Sequence, residues 1–127
     1  MRILAINGSH RPGKGTAALL QAALDAACNA CLAKPSCTLS DDMDGLVEQM
    51  KAADGIVLGS PDYFANVTAR MKTFIDRTRP LHMTANALKG KVGGMVVTSG
   101  LVDCGAEETL GALDRFFATH EMLVVHP

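Results

Sequence analysis

The chain has 127 residues, 48% of them hydrophobic and 20% charged, with a formal net charge of -1. That length suits one domain over residues 1–127, and so much apolar side chain offsets the entropy of ordering, which excludes a disordered chain. The interspersed charges lack the single-sign field that a nucleic-acid backbone selects for, no apolar run approaches the roughly 18 residues of a membrane span, and no cleavage-site pattern follows Met1-Arg2; a cytoplasmic protein with neither nucleic acid nor membrane as partner is expected.

The run Arg2-Ile-Leu-Ala-Ile-Asn7 is continuously apolar and closes on Gly8-Ser9, as a strand buried on both faces of a parallel sheet does. The period then changes: Leu20, Leu24, Cys28 and Cys31 share one face of a helix that starts near Thr16 in an alanine-rich stretch. Ser40 or Asp41 can cap a second helix with Met43, Leu46, Val47 and Met50 on one face, and the strand Gly55-Ile-Val-Leu-Gly59 follows. Asn66 is read as the cap of a third helix carrying Met71, Phe74 and Ile75, which Pro80 breaks. Lys91-Val-Gly-Gly-Met-Val-Val-Thr98 is a strand whose glycines let a helix approach closely. Leu110, Leu113 and Phe117 mark a fourth helix, and Met122-Leu-Val-Val125 is the last strand. Strand and helix alternate, which predicts an α/β fold with a doubly wound parallel sheet.

In such sheets ligands bind beyond the carboxyl ends of the strands, which directs attention to three loops: residues 8–16, 60–66 and 99–105. The first, Gly8-Ser9-His10-Arg11-Pro12-Gly13-Lys14-Gly15-Thr16, joins a strand to a helix start, where free amides and the helix dipole favour a phosphate. Ser9 and Thr16 add hydroxyls; Arg11 and Lys14 add charge. Gly8, Gly13 and Lys14 have the spacing of a nucleotide-triphosphate loop, but Gly15 stands where that loop needs Ser or Thr for its metal, so triphosphate hydrolysis is not expected. The second loop leaves its strand as Ser60-Pro61-Asp62-Tyr63-Phe64, placing two of the chain's few aromatic rings side by side, as a flat heteroaromatic ligand requires.

Together these blocks resemble the NADPH-dependent FMN reductase and iron-sulfur flavoprotein family. The resemblance rests on Gly8-Ser9-x-Arg11 with Thr16, on Ala53-Asp54-Gly55-Ile56-x-x-Gly59-Ser60-Pro61-x-Tyr63-Phe64, on Lys72-x-Phe74-Ile75-Asp76-Arg77-Thr78, and on Leu88-Lys89-Gly90-Lys91-Val92. It implies a flavodoxin-like fold, non-covalent FMN, NADPH or NADH as electron donor, a small-molecule electron acceptor and a homo-oligomer. By the same resemblance Ser9, Arg11, Gly15 and Thr16 would hold the FMN phosphate, to which Lys14 adds the charge already noted, Pro61, Asp62, Tyr63 and Phe64 would run along the isoalloxazine ring, and Ser99, Gly100 and Gly105 would close its other side. Position 15 is often Asn in the family and is Gly here, which removes one phosphate donor. Asp62 is expected to point to solvent; turned toward a flavin, its carboxylate would disfavour the anionic reduced form. Because the cofactor carries the chemistry, no side chain is assigned a catalytic role. His10 and His82 are read as structural or surface residues.

Two departures from the family pattern add expectations. A helix from Thr16 to Cys31 descends about 24 Å at ~1.5 Å per residue, and residues 32–40 reach at most about 30 Å, so the second strand is reduced to an extended or irregular edge around Cys37-Thr-Leu39, leaving four clear strands. Iron-sulfur relatives carry four closely spaced cysteines before this point. Cys28-x2-Cys31-x5-Cys37 matches three of them, with Cys104 as a conceivable fourth ligand, whereas Cys28 and Cys31 equally continue the apolar helix face; the core reading, with no metal bound, is preferred. Relatives also run on past the last strand, so apolar surface is expected to be covered in a homodimer at least.

Overall fold

The computed structural model describes residues 36–126, a stretch that begins just before the predicted second helix. The predicted first strand and helix, with Ser9, Arg11, Lys14, Gly15, Thr16, Cys28 and Cys31, lie outside the described residues. The described elements are α1 (Met43–Ala52), β1 (Gly55–Pro61), α2 (Ala69–Arg77), α3 (Arg79–Ala85), β2 (Val92–Thr98), α4 (Ala106–Thr119) and β3 (Leu123–Val124). They form a three-stranded parallel sheet in the order β1-β2-β3, with Gly55 opposite Val92, Pro61 opposite Thr98, and Val92 opposite Leu123. This is the α/β arrangement that the alternation predicts.

One face of the sheet carries the core. Ile56, Leu58 and Ser60 of β1 alternate inward, and Leu58 joins a buried cluster with Met50 of α1 and Leu113, Phe116 and Phe117 of α4. Gly93 of β2 shows why this strand needs a glycine: a Cβ there would stand 2.5 Å from the Phe117 ring, which is fully buried. The opposite face presents Val57, Val92 and Val96, all exposed.

The helix starts differ from the sequence reading in instructive ways. Asp42 is the N-cap of α1 but makes no side-chain cap; Asp41 accepts from the Met43 N–H at 3.0 Å instead, and its carboxylate also binds the Arg77 guanidinium of α2 through both oxygens. Thr68, not Asn66, caps α2, its Oγ1 accepting from the Met71 N–H at 3.2 Å while its own N–H donates to Ser60 Oγ. Pro80 does not end the helical stretch. It lies in the first turn of α3, where a missing N–H leaves no hydrogen bond unmade, and Thr78 serves as the last cap of α2 and the first of α3. Residues 36–40 form bends and belong to no strand of the described sheet, in keeping with a second strand that is reduced or irregular; Cys37 rests against Arg77, 3.9 Å from Nη2.

Candidate functional site

The loops that leave β1 and β2 emerge side by side, because Pro61 and Thr98 are register partners and the Asp62 N–H extends the pairing to Thr98 O at 2.8 Å. From there the first loop turns sharply. The Tyr63 N–H donates to Asn66 O at 3.0 Å, and Phe64 and Ala65 are both left-handed, with φ of 56° and 57°. Such conformations cost of order 1–3 kcal/mol each in side-chain-bearing residues and persist only where neighbours over-determine them.

Two contacts supply that determination. Gly105, itself at φ 97°, packs so tightly on the loop that a Cβ there would lie 2.4 Å from Ala65 Cβ. The Thr109 hydroxyl, fully buried in the first turns of α4, donates to Asp62 Oδ1 at 2.5 Å. Pinned at both points, the loop holds Tyr63 63% exposed and Phe64 fully exposed. The second loop is tied internally by Ser99 Oγ donating to Leu101 O at 2.9 Å, and the space beside Gly100 is open, with no atom within 4 Å of a Cβ position.

Pro61, Asp62, Tyr63, Phe64, Ser99, Gly100 and Gly105 are thus brought to one edge of the sheet, at the carboxyl ends of β1 and β2. The position of Asp62 corrects an expectation: its carboxylate turns to Thr109, because a buried hydroxyl at that point needs an acceptor. Ala65 and Thr109 belong to the site's framework and were not singled out from sequence, since neither residue type nor spacing marks a contact made across 40 or more positions. Exposed ring faces beside an open glycine backbone fit a flat heteroaromatic group such as an isoalloxazine.

Other candidate groups lie elsewhere. Among the described residues no group of three or more His, Cys, Asp or Glu side chains could hold a metal; Cys104 is exposed and Cys37 half-buried. His82 and His120 sit in the helix layer, their rings edge-to-face at 5.8 Å. Burial, and next the charge of His82, push the His120 pKa down to about 4.

The family model for NADPH-dependent FMN reductase matches residues 1–127. An iron-sulfur flavoprotein of Methanocaldococcus jannaschii is 36% identical over 147 aligned residues, which cover 98% of this chain and 76% of the relative. An iron-sulfur flavoprotein of Methanosarcina thermophila is 33% identical, with 98% and 77% covered. Among solved structures, a flavodoxin, WrbA-like protein from Agrobacterium tumefaciens superposes with a TM-score of 0.59 at 23% identity, over 83% of this chain and 65% of that one. An NADPH-quinone reductase from P. pentosaceus gives 0.54 at 20% identity, over 68% and 60%. These likenesses show a flavodoxin-like fold, and the chain spans less than two thirds of either solved structure. Sequence blocks, loop geometry and the full-length match together establish that the chain belongs to the NADPH-dependent FMN reductase family.

Proposed function

We propose that this chain binds FMN at the carboxyl ends of its strands and acts as a homo-oligomeric NAD(P)H-dependent oxidoreductase for a small acceptor. The observation that carries the reading is the double pinning of the 61–66 loop, by Gly105 on Ala65 and by Thr109 on Asp62, which holds Tyr63 and Phe64 open to solvent where a planar ligand would lie. FMN, when bound, supplies the hydride and electron chemistry. The chain's part is to bind and orient: Pro61, Tyr63 and Phe64 along one side of the ring, Ser99 and Gly100 along the other, with Asp62 and Gly105 holding the loops, and Ser9, Arg11, Lys14, Gly15 and Thr16 on the phosphate. Family membership supports the phosphate assignment, since Gly8-Ser9-x-Arg11 with Thr16 resembles the family's first loop.

Tyr63 is the chain's sole tyrosine and there is no tryptophan, so intrinsic emission reports on this loop alone. Added FMN is expected to quench that emission saturably, and anaerobic NADPH or NADH to bleach the bound flavin. A chain that neither retains FMN nor shows quenching would overturn the reading.

A second reading, an FMN carrier between protein partners with an iron-sulfur cluster, is favoured by the names of the two archaeal relatives and by the Cys28-x2-Cys31-x5-Cys37 spacing. Iron in the purified protein, with absorbance at about 400 nm surviving flavin removal, would select it; reduction by a protein donor and not by nicotinamide would separate carrier from reductase.

A further inference from the structure

The loop that carries the candidate ring contacts holds one carboxylate, Asp62, between Pro61 and Tyr63. Two hydrogen bonds fix it. The Asp62 N–H donates to Thr98 O at 2.8 Å, which ties its backbone to the end of β2, and the Thr109 hydroxyl of α4 donates to Oδ1 at 2.5 Å. Thr109 is fully buried and Asp62 half-buried, so the carboxylate does not swing out as a free surface side chain does.

One hydroxyl supplies one hydrogen, which draws on the carboxylate charge without cancelling it. Among the described residues no lysine, arginine or histidine forms an ion pair with Asp62. Residues 60–66 and 99–105 contain no basic side chain at all. The loop therefore carries a net negative charge at a set position, and a partly buried charge is screened far less than an exposed one. The neighbouring loop offers the contrast, because its carboxylate, Asp103, is exposed.

We propose that Asp62 sets the reduction potential of the flavin, with Thr109 as the residue that positions it. The inference rests on the reading of these two loops as an FMN site. Uptake of a hydride equivalent, two electrons and one proton, gives the isoalloxazine ring a negative charge that its oxidised form lacks. A fixed carboxylate in the loop alongside opposes that charge, so reduced FMN is held less tightly than an uncharged loop would hold it, and the potential is lowered. The ratio of the two affinities should move about tenfold, the order of one unit charge acting at an effective dielectric of about 20.

The test is the midpoint potential of FMN bound to the purified full chain, read anaerobically against a reference dye. Asp62→Asn removes the charge and keeps an oxygen for the Thr109 hydroxyl. It should favour reduced over oxidised FMN by about tenfold, a rise of about 30 mV for a two-electron couple. Asp103→Asn removes the exposed carboxylate of the neighbouring loop and should change the ratio by less than about twofold. Thr109→Val should shift the potential of the wild type and leave that of Asp62→Asn unmoved, because the position of an uncharged side chain matters little to the field at the ring. An unmoved or lowered potential in Asp62→Asn, an equal rise in Asp103→Asn, or the same Thr109→Val shift in both backgrounds would each overturn the proposal while FMN is still bound. A wild-type chain that binds no FMN would overturn it together with the reading of the site.

Discussion

Gly105 and Ala65, 40 positions apart in the chain, meet so closely that a methyl group on the glycine would lie 2.4 Å from the alanine Cβ and 2.6 Å from its Cα. This contact joins the loop after β2 to the loop after β1, and it is made between two residues that are each left-handed. The candidate flavin edge is therefore one mechanical unit built from two loops.

Gly105→Ala is expected to separate those loops. The substitution adds a clash to an already strained φ, so stability should fall by at least about 2 kcal/mol and FMN should bind about tenfold more weakly or worse, by urea unfolding and by Tyr63 emission. Gly45→Ala is the contrast: it sits exposed in α1 with no atom within 4 Å of its Cβ position, and should gain about 0.5–1 kcal/mol. Equal effects at the two positions would contradict the loop argument.

Thr109→Val keeps the side chain's shape and removes the donor to Asp62. A half-buried carboxylate then loses its partner, for a destabilisation of about 1–3 kcal/mol, and the aromatic loop is freed to leave its left-handed conformation. FMN affinity should fall in parallel. Thr109→Ser retains the hydroxyl and should restore most of both quantities.

Gly93→Ala should cost about 1–3 kcal/mol, because the new methyl would stand 2.5 Å from the buried Phe117 ring. Shortening the ring should relieve it: the double variant Gly93→Ala, Phe117→Leu is expected to be more stable than the sum of its single changes. A strictly additive cycle, measured by thermal unfolding, would show that the strand and helix adjust independently.

His120 sets a pH dependence whose sign follows from its lowered pKa. The unfolded chain protonates this group near 6.5, whereas the folded chain resists until about 4. Between those values unfolding takes up a proton, so the contribution is full above about pH 6.5, is lost as pH falls toward about 4, and changes no further below that. Unfolding free energies at pH 7 and pH 5 should differ by on the order of 1 kcal/mol more in the wild type than in His120→Gln. The Asp41 carboxylate acts in a lower window, since the bond to Arg77 holds its pKa below 3.8 and its contribution is lost only as pH falls through that lowered value.

Local pattern accounts for what could be read without coordinates. The apolar runs beginning at Gly55 and at Lys91 are strands, the periodic positions Met50, Leu113 and Phe117 are buried, and the glycine at 93 does admit a helix. Each of these is a property of a short window, in which side-chain alternation reports directly on which face meets the core. The convergence of the second and third loops at one edge was legible for the same reason, because the carboxyl ends of parallel strands must lie together.

The details that were misread depend on partners outside the window. Pro80 reads as a break, yet it opens α3, because Thr78 supplies a shared cap. Asn66 is a good capping residue by type, but Thr68 stands where Ser60 can anchor it. Asp62 was assigned to solvent because nothing nearby in sequence offers it a donor; the donor is Thr109, 47 positions on. Residue types and their periodicity carried the parallel α/β layout and the family, since both are written in contiguous blocks. The orientation of Asp62 and the left-handed turn at Phe64 and Ala65 were settled only by folding, because each is determined by a hydrogen bond or a steric contact between segments that no local spacing relates.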